Sequence, residues 1–223
     1  MRKTNFVSDE YYHIYNRGVD KREIFSDRYD ADRFFQSMKE FNVVDPIGSI
    51  YENSFADDKK HKLGSSTPKS KLVEFICYCL NSNHYHFLLK QVAEDGIKKF
   101  MHKLGTGYTN YFNGKEKRNG SLFQGRFKSI HIDSNEYLLH LSAYVNLNDR
   151  VHGLDKLGSS TPKSSWEEYV SMKNFTTEFC SPDIILDQFD SRIEYEKFAL
   201  EALENIRGRK NINDELSDEL LLE

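Results

Sequence analysis

The sequence predicts an α+β domain followed by a C-terminal helical region. Three observations carry this. LVEFICYCL and HYHFLLKQ are apolar, β-branched and aromatic runs separated by a short polar turn. Segments with the i, i+3, i+4, i+7 spacing of amphipathic helices alternate with such runs. Beyond about residue 155 the composition turns acidic and helical.

EYYHIYNRG reads as the first strand, stopped at Asn16-Arg17-Gly18. FSDRYDADRFFQSMKEF follows as a helix, with Phe34, Phe35, Met38 and Phe41 at i, i+1, i+4, i+7 and acids in its first turn. From residues 42 to 71 periodicity fails, and Asp-Pro, Ile-Gly and charges mark an insertion loop. LVEFICYCL, the turn Asn81-Ser82-Asn83 and HYHFLLKQ then form an antiparallel hairpin. Ile97, Phe100, Met101, Leu104, Tyr108, Tyr111 and Phe112 line one face of a second helix that ends at Asn113-Gly114. GRFKSIHID is a last strand. Asp133 and Glu136 offer a capping box for a third helix through NEYLLHLSAYVNLND. Strand, helix, strand, strand, helix, strand, helix is a ferredoxin-like, split βαβ order: an antiparallel sheet with helices on one face and the other face free. We therefore expect a domain over 1–154 and an accessory region over 155–223, built around Trp166, CSPDIILDQF and EYEKFALEALENIRGRK.

One oddity cuts across this plan. KLGSSTPKS occurs twice, at Lys62–Ser70 in the insertion loop and at Lys156–Ser164 at the junction with the accessory region. Both are places where polar insertions are tolerated, and no structural need calls for identical residues there. Leu-Gly-Ser-Ser-Thr-Pro-Lys can be written CTTGGGAGT-TCT-ACTCCCAAG, whose arms are reverse complements. The expectation is that the copies are palindromic DNA elements tolerated in frame, the alternative being a recent peptide-level duplication with arbitrary codons.

Composition narrows the function. No run approaches the ~18 apolar residues of a membrane helix, and MRKTNFVSDEYY lacks a signal-peptide core, so a cytoplasmic protein with no membrane partner is expected. Three cysteines, two of them spaced C-x-C in an apolar strand, argue for buried thiols and against a disulfide framework. The net charge of −4 conceals a basic middle and an acidic end. Lys98–Lys128 holds eight Lys or Arg against Glu116 alone, whereas Glu167–Glu223 holds fifteen acids against six bases. Such a basic segment suits a polyanion.

Alternation places His84 and His86 on one face of their strand, where two imidazoles can share a metal ion or can simply be surface or core histidines. Tyr137, Leu141, Tyr144 and Asn148 fall on one stripe of the third helix. Tyr144 alone reads as a core tyrosine. An amide on a buried helix face needs a partner, and for Asn148 a metal or a C-cap would serve.

YYHIYNRG, NSNHYHFLLK, GSLFQGRFKSIHIDSNEYLL and AYVNLNDRVHGL together resemble the single-tyrosine transposases of the HUH endonuclease superfamily, in particular the REP-associated tyrosine transposases. The resemblance runs from about Glu10 to Leu154, and Trp166–Tyr169 resembles the tryptophan segment that follows the core in that group. It implies that His84 and His86 are the histidine pair, Tyr144 the nucleophile, and Asn148 the third ligand of a divalent metal, Mg²⁺ or Mn²⁺. Two positions depart from the family pattern: Asp149 stands where a proline is usual, and Tyr85 stands between the histidines where an aliphatic residue is usual. Asp149 could replace Asn148 at the metal.

The implied activity is nicking and rejoining of single-stranded or hairpin, REP-like palindromic DNA through a 5′-phosphotyrosine intermediate, by a monomer or a homodimer. Lys115, Lys117, Arg118, Gln124, Arg126 and Lys128 would contact the DNA, with Phe123 as a stacking face. The alternatives are a hairpin-binding module of the same fold that does not cut, and a metal-dependent hydrolase that uses water as its nucleophile.

Overall fold

A computed structural model describes residues 5–45, 47, 50, 70–151, 164–171 and 179–213. Both KLGSSTPKS copies lie outside the described residues except for their last members, Ser70 and Ser164.

Four strands, β1 (Tyr11–Arg17), β2 (Val73–Asn81), β3 (His84–Gln91) and β4 (Lys128–His131), form one sheet in the order β2-β3-β1-β4 with all neighbours antiparallel. The α+β class and the ferredoxin-like strand order are as the sequence predicts. Alternation explains the packing: Tyr12 and Ile14 of β1 and Tyr85, Phe87 and Leu89 of β3 all face the same way. They meet α1 (Arg28–Glu40) and α2 (Gly96–Lys115) through Phe34, Met38, Ile97, Phe100, Leu104 and Tyr108. Asp27 caps α1 by accepting from the Asp30 amide at 3.0 Å. At the start of α2, a Cβ on Gly96 would stand 2.1 Å from the Leu72 carbonyl oxygen, so only glycine lets helix and strand approach this closely.

The 42–71 insertion has a clamped base. Asn42 Oδ1 accepts from the amides of Leu72 and Val73 at 3.1 and 2.9 Å, and its Nδ2 donates to the Val73 carbonyl at 2.8 Å. Val44 N–H adds a bond to the Ser70 carbonyl at 2.9 Å. Loop closure is therefore secured at the loop's root, where the length between matters little.

The helices do not all share one face. The side of the sheet expected to be free carries α3 (Asn135–Asn146), which packs Leu138, Leu141 and Val145 against Ile76, Cys77, Cys79 and Leu88. Ser134, one residue after the expected Asp133, caps it by accepting from the Tyr137 amide. The third helix is also shorter than its periodicity predicts. It breaks at Leu147, and a separate turn, α4 (Asn148–Val151), follows. The described C-terminal elements, α5 (Trp166–Val170), α6 (Asp183–Leu186) and α7 (Arg192–Asn213), close over α3. Trp166, Tyr169, Ile185, Tyr195, Ala199 and Leu203 belong to the same apolar cluster as α3 and β2. Ser164 bridges Cys79 on the free edge of β2, and Ser165 N–H donates to the Tyr78 carbonyl at 3.0 Å. Cys77, Cys79 and Cys180 are buried free thiols. Among the described residues no helix is long and apolar enough to cross a membrane.

Candidate active site

His84 and His86 leave β3 on the face opposite Tyr85 and Phe87, and Tyr15 stands across from His86 in the β1–β3 register. The two rings lie 5.2 Å apart, edge to face. Both are buried, at 8% and 4% exposure, and so are not the exposed pair that a free sheet face would carry. α3 and α4 cover them.

The two rings are oriented by different partners. His84 Nδ1 lies 2.6 Å from Asn83 Oδ1, whose own amide nitrogen is fixed by donation to the Lys21 carbonyl at 3.1 Å. A carbonyl oxygen only accepts, so Nδ1 of His84 carries the proton, and in the neutral ring Nε2 keeps its lone pair. That Nε2 sits 3.1 Å from Asn148 Oδ1. Asn81 Nδ2 reaches both, at 2.9 Å from His84 Nε2 and 2.7 Å from Asn148 Oδ1. Two acceptor atoms thus converge on a single source of positive charge, which here is the Asn81 amide. Imidazole nitrogen and amide oxygen facing each other form a donor set that suits a small divalent cation. Asn148 is fully buried, and its Nδ2 lacks a hydrogen-bond partner. Asn148 Oδ1 is the side-chain oxygen that lies against His84 Nε2. Among the described residues no three His, Cys, Asp or Glu converge as a metal cluster, so a metal here would depend on the asparagine.

His86 is held by a residue the sequence reading missed. His13 Nε2 lies 2.9 Å from His86 Nδ1, and the rings stack at 5.1 Å with 19° between their planes. Tyr15 completes the stack, 4.8 Å from His13 and 5.7 Å from His86. Burial holds His13 down to about 3, so it stays neutral and can accept from His86 Nδ1–H, leaving His86 Nε2 its lone pair. The alternation of YYHIYNRG puts His13 and Tyr15 on one face. Only the sheet order, which sets β1 beside β3, says that this face is shared with His86.

Tyr144 comes down from α3 onto this group. Its ring meets that of His86 edge-on at 5.5 Å and that of His13 at 6.3 Å. Burial pushes its phenol up to about 12, against the opposing pull of the nearby Asn148 side chain. Tyrosine, asparagine and both histidines are therefore in contact although α3 breaks between Tyr144 and Asn148.

The basic candidates do not act as one surface. Lys115 is tied to Asp27 and to fully buried Asp30, at 2.8 Å each, which accounts for it structurally. Arg118 lies over the Phe112 ring at 5.7 Å, with Lys117 beside it in the chain just after α2. Phe123 is no open stacking platform: it is buried edge-on against Tyr85 at 5.8 Å. Gln124 and Arg126 are exposed on the loop before β4, and Gln124 N–H anchors that loop to the Arg17 carbonyl at 2.8 Å. Lys128 stands opposite Tyr15 on the edge strand, with its Nζ 5.8 Å from the centre of the Tyr15 ring that joins the histidine stack.

A ferredoxin-like sheet whose histidine pair lies beneath a helix-borne tyrosine is the arrangement that the resemblance to single-tyrosine transposases implies. The chain belongs to the IS200-like transposases, whose family profile matches residues 6–148, from before β1 to Asn148 itself. Among solved structures it is similar to a REP-associated tyrosine transposase bound to a REP hairpin, at 12% identity and a TM-score of 0.49, covering 80% of this chain and 94% of that one. A candidate transposase from Deinococcus radiodurans R1 is similar over 65% of this chain and 95% of its own, at 13% identity and a TM-score of 0.37. No curated protein matches the sequence.

Proposed function

We propose that the protein nicks and rejoins single-stranded or hairpin DNA, of the REP-like palindromic kind, through a 5′-phosphotyrosine intermediate on Tyr144. The observation that supports this most is the convergence of Tyr144, Asn148, His84 and His86 in one covered polar cluster. Tyr144 Oη attacks the scissile phosphorus in line, the P–O3′ bond breaks, and the departing oxygen takes a proton to become a free 3′-OH. The phosphodiester's energy is kept in the tyrosyl ester, so a 3′-OH can reverse the step and join strands without ATP. His84, His86 and Asn148 would hold a divalent ion, Mg²⁺ or Mn²⁺, which when bound supplies positive charge to the non-bridging oxygens. The unpartnered Asn148 Nδ2 is available to donate to the phenol as it ionises, and α3 keeps water from the face of Tyr144 that it covers. Lys128 on the open edge strand meets the entering backbone.

An internally labelled hairpin oligonucleotide tests the reading. The expected product is a covalent protein–DNA adduct, whereas free 5′-phosphate ends without an adduct would assign the chemistry to water. Metal binding is read separately. Because the histidines are buried, His86→Gln is the gentler substitution; it should weaken Mn²⁺ binding in calorimetry by about tenfold or more while the far-ultraviolet circular dichroism stays unchanged. Unaltered Mn²⁺ affinity in both His86→Gln and His84→Gln would remove the pair from the site.

The raised phenol gives the pH dependence its sign. Below about pH 12 the phenolate fraction grows tenfold per unit. Single-turnover nicking should therefore rise steeply from about pH 6 to 8, with a slope of log rate against pH close to one. A flat profile would mean that a base removes the proton within the step.

A further inference from the structure

On the other face of the sheet, between α2 and the loop that leads into β4, lies a cavity of about 610 Å³. That is within the ~300–1,000 Å³ of small-molecule sites. Four features define its chemistry. One wall is the polar stripe of α2, where Lys98, His102, Thr106 and Thr109 recur at helical spacing. The opposite wall is aromatic: Phe127, stacked on Phe6 at 6.3 Å, and the buried Phe123. Arg126 stands at the loop, and among the described residues no acid lines the space. The loop is also pinned. Gly125 takes a φ of +71°, and its carbonyl accepts from Asn16 Nδ2 at 3.3 Å.

The cavity is placed to receive the same strand that the tyrosine would cut. Neighbouring residues of β1 point to opposite faces, so Tyr15 belongs to the histidine stack while Asn16 lines the cavity. Likewise Lys128 lies beside Tyr15 while Arg126, two residues earlier and before β4 begins, lines the cavity. A backbone passing over this edge of the sheet would meet Lys128 and then Arg126. We propose that the cavity is a nucleotide subsite: it takes one unpaired base of single-stranded DNA between its aromatic wall and the hydroxyl and amide groups of α2, with the adjoining phosphate on Arg126. This rests on the reading of the protein as a DNA-cutting enzyme, and adds to it a base-selecting site away from the reacting atoms. Bulk, hydrogen-bonding edges and a phosphate are the properties of a nucleotide that aromatic rings, amides and cations together match.

The test is photo-crosslinking with a randomised single-stranded 12-mer carrying 4-thiothymidine, followed by peptide mapping. Crosslinks are expected on peptides of α2 and of the 121–127 loop. Thr109→Trp, which fills the cavity from its half-buried wall, and Arg126→Glu, an exposed change that cannot disturb packing, should each lower crosslinking there by about tenfold. Crosslinks confined to other peptides, or unaffected by both variants, would overturn the subsite. If DNA crosslinks in the cavity but Tyr144 never becomes attached, the subsite stands and the cutting reaction falls. If the adduct forms while the cavity stays unlabelled, the reverse holds. Failure of the 12-mer to bind anywhere would overturn both.

Discussion

Tyr144→Phe should abolish the covalent protein–DNA adduct and lower nicking by at least ~10⁴-fold, the scale on which removal of a nucleophile acts. The substitution deletes one oxygen from a half-buried ring that contacts His86 and His13 through its edge, so packing against both is retained. Folding should not suffer. The lost hydroxyl was held in a setting that disfavours its ionised form, and the Asn148 Nδ2 beside it is already buried without a hydrogen-bond partner. Stability should therefore stay within about 1 kcal/mol of wild type. Mn²⁺ affinity and hairpin binding should also persist, because neither histidine and neither loop cation is touched. Adduct formation in Tyr144→Phe would move the nucleophile to another tyrosine. Loss of DNA binding together with cutting would mean that the phenol serves recognition instead.

How far this site could be read in the sequence depends on the range of each interaction. Period-two alternation is local, and it placed His84 and His86 together on one face. Helical spacing is local as well, and it brought Tyr144 and Asn148 onto one stripe although the helix breaks at Leu147. His13 could not be found that way, because its meeting with His86 depends on β1 entering the sheet beside β3, a pairing of residues 73 positions apart. Asn81 and Asn83 look like turn formers and do flank the turn, yet their side chains reach His84 and Asn148. Turn propensity hides such second uses, since the same short amide that suits a bend also suits a hydrogen-bond relay. The basic segment misled for a related reason. Charge counting cannot tell Lys115, paired with buried Asp30, from Arg126 on an exposed loop.

The face of the sheet expected to be open shows the largest departure, and its consequence is measurable at Tyr195. This residue lies in the acidic C-terminal region, read from sequence as accessory, but its side chain is fully buried, tilted against Tyr169 at 5.0 Å and edge-on to Phe189 at 5.3 Å. Its hydroxyl accepts from Asn146 Nδ2 at 3.0 Å and meets Ser142 Oγ at 3.2 Å, while Ser165 Oγ donates to Asn146 Oδ1 at 2.6 Å. Asn146 is the last residue of α3, two before Asn148. The C-terminal region therefore grips the chain at the point where the helix breaks and the asparagine of the active site is set. Tyr195→Ala should cost about 3–5 kcal/mol in urea unfolding, as expected for a large buried aromatic. Tyr195→Phe keeps the ring and strands the Asn146 amide, so it should cost about 1–3 kcal/mol. The two variants separate packing from positioning. If Asn146 transmits its constraint to Asn148, Tyr195→Phe should lose nicking activity and Mn²⁺ affinity at temperatures where it is fully folded. Wild-type values for both, with stability lowered as stated, would limit the C-terminal region to holding the core together.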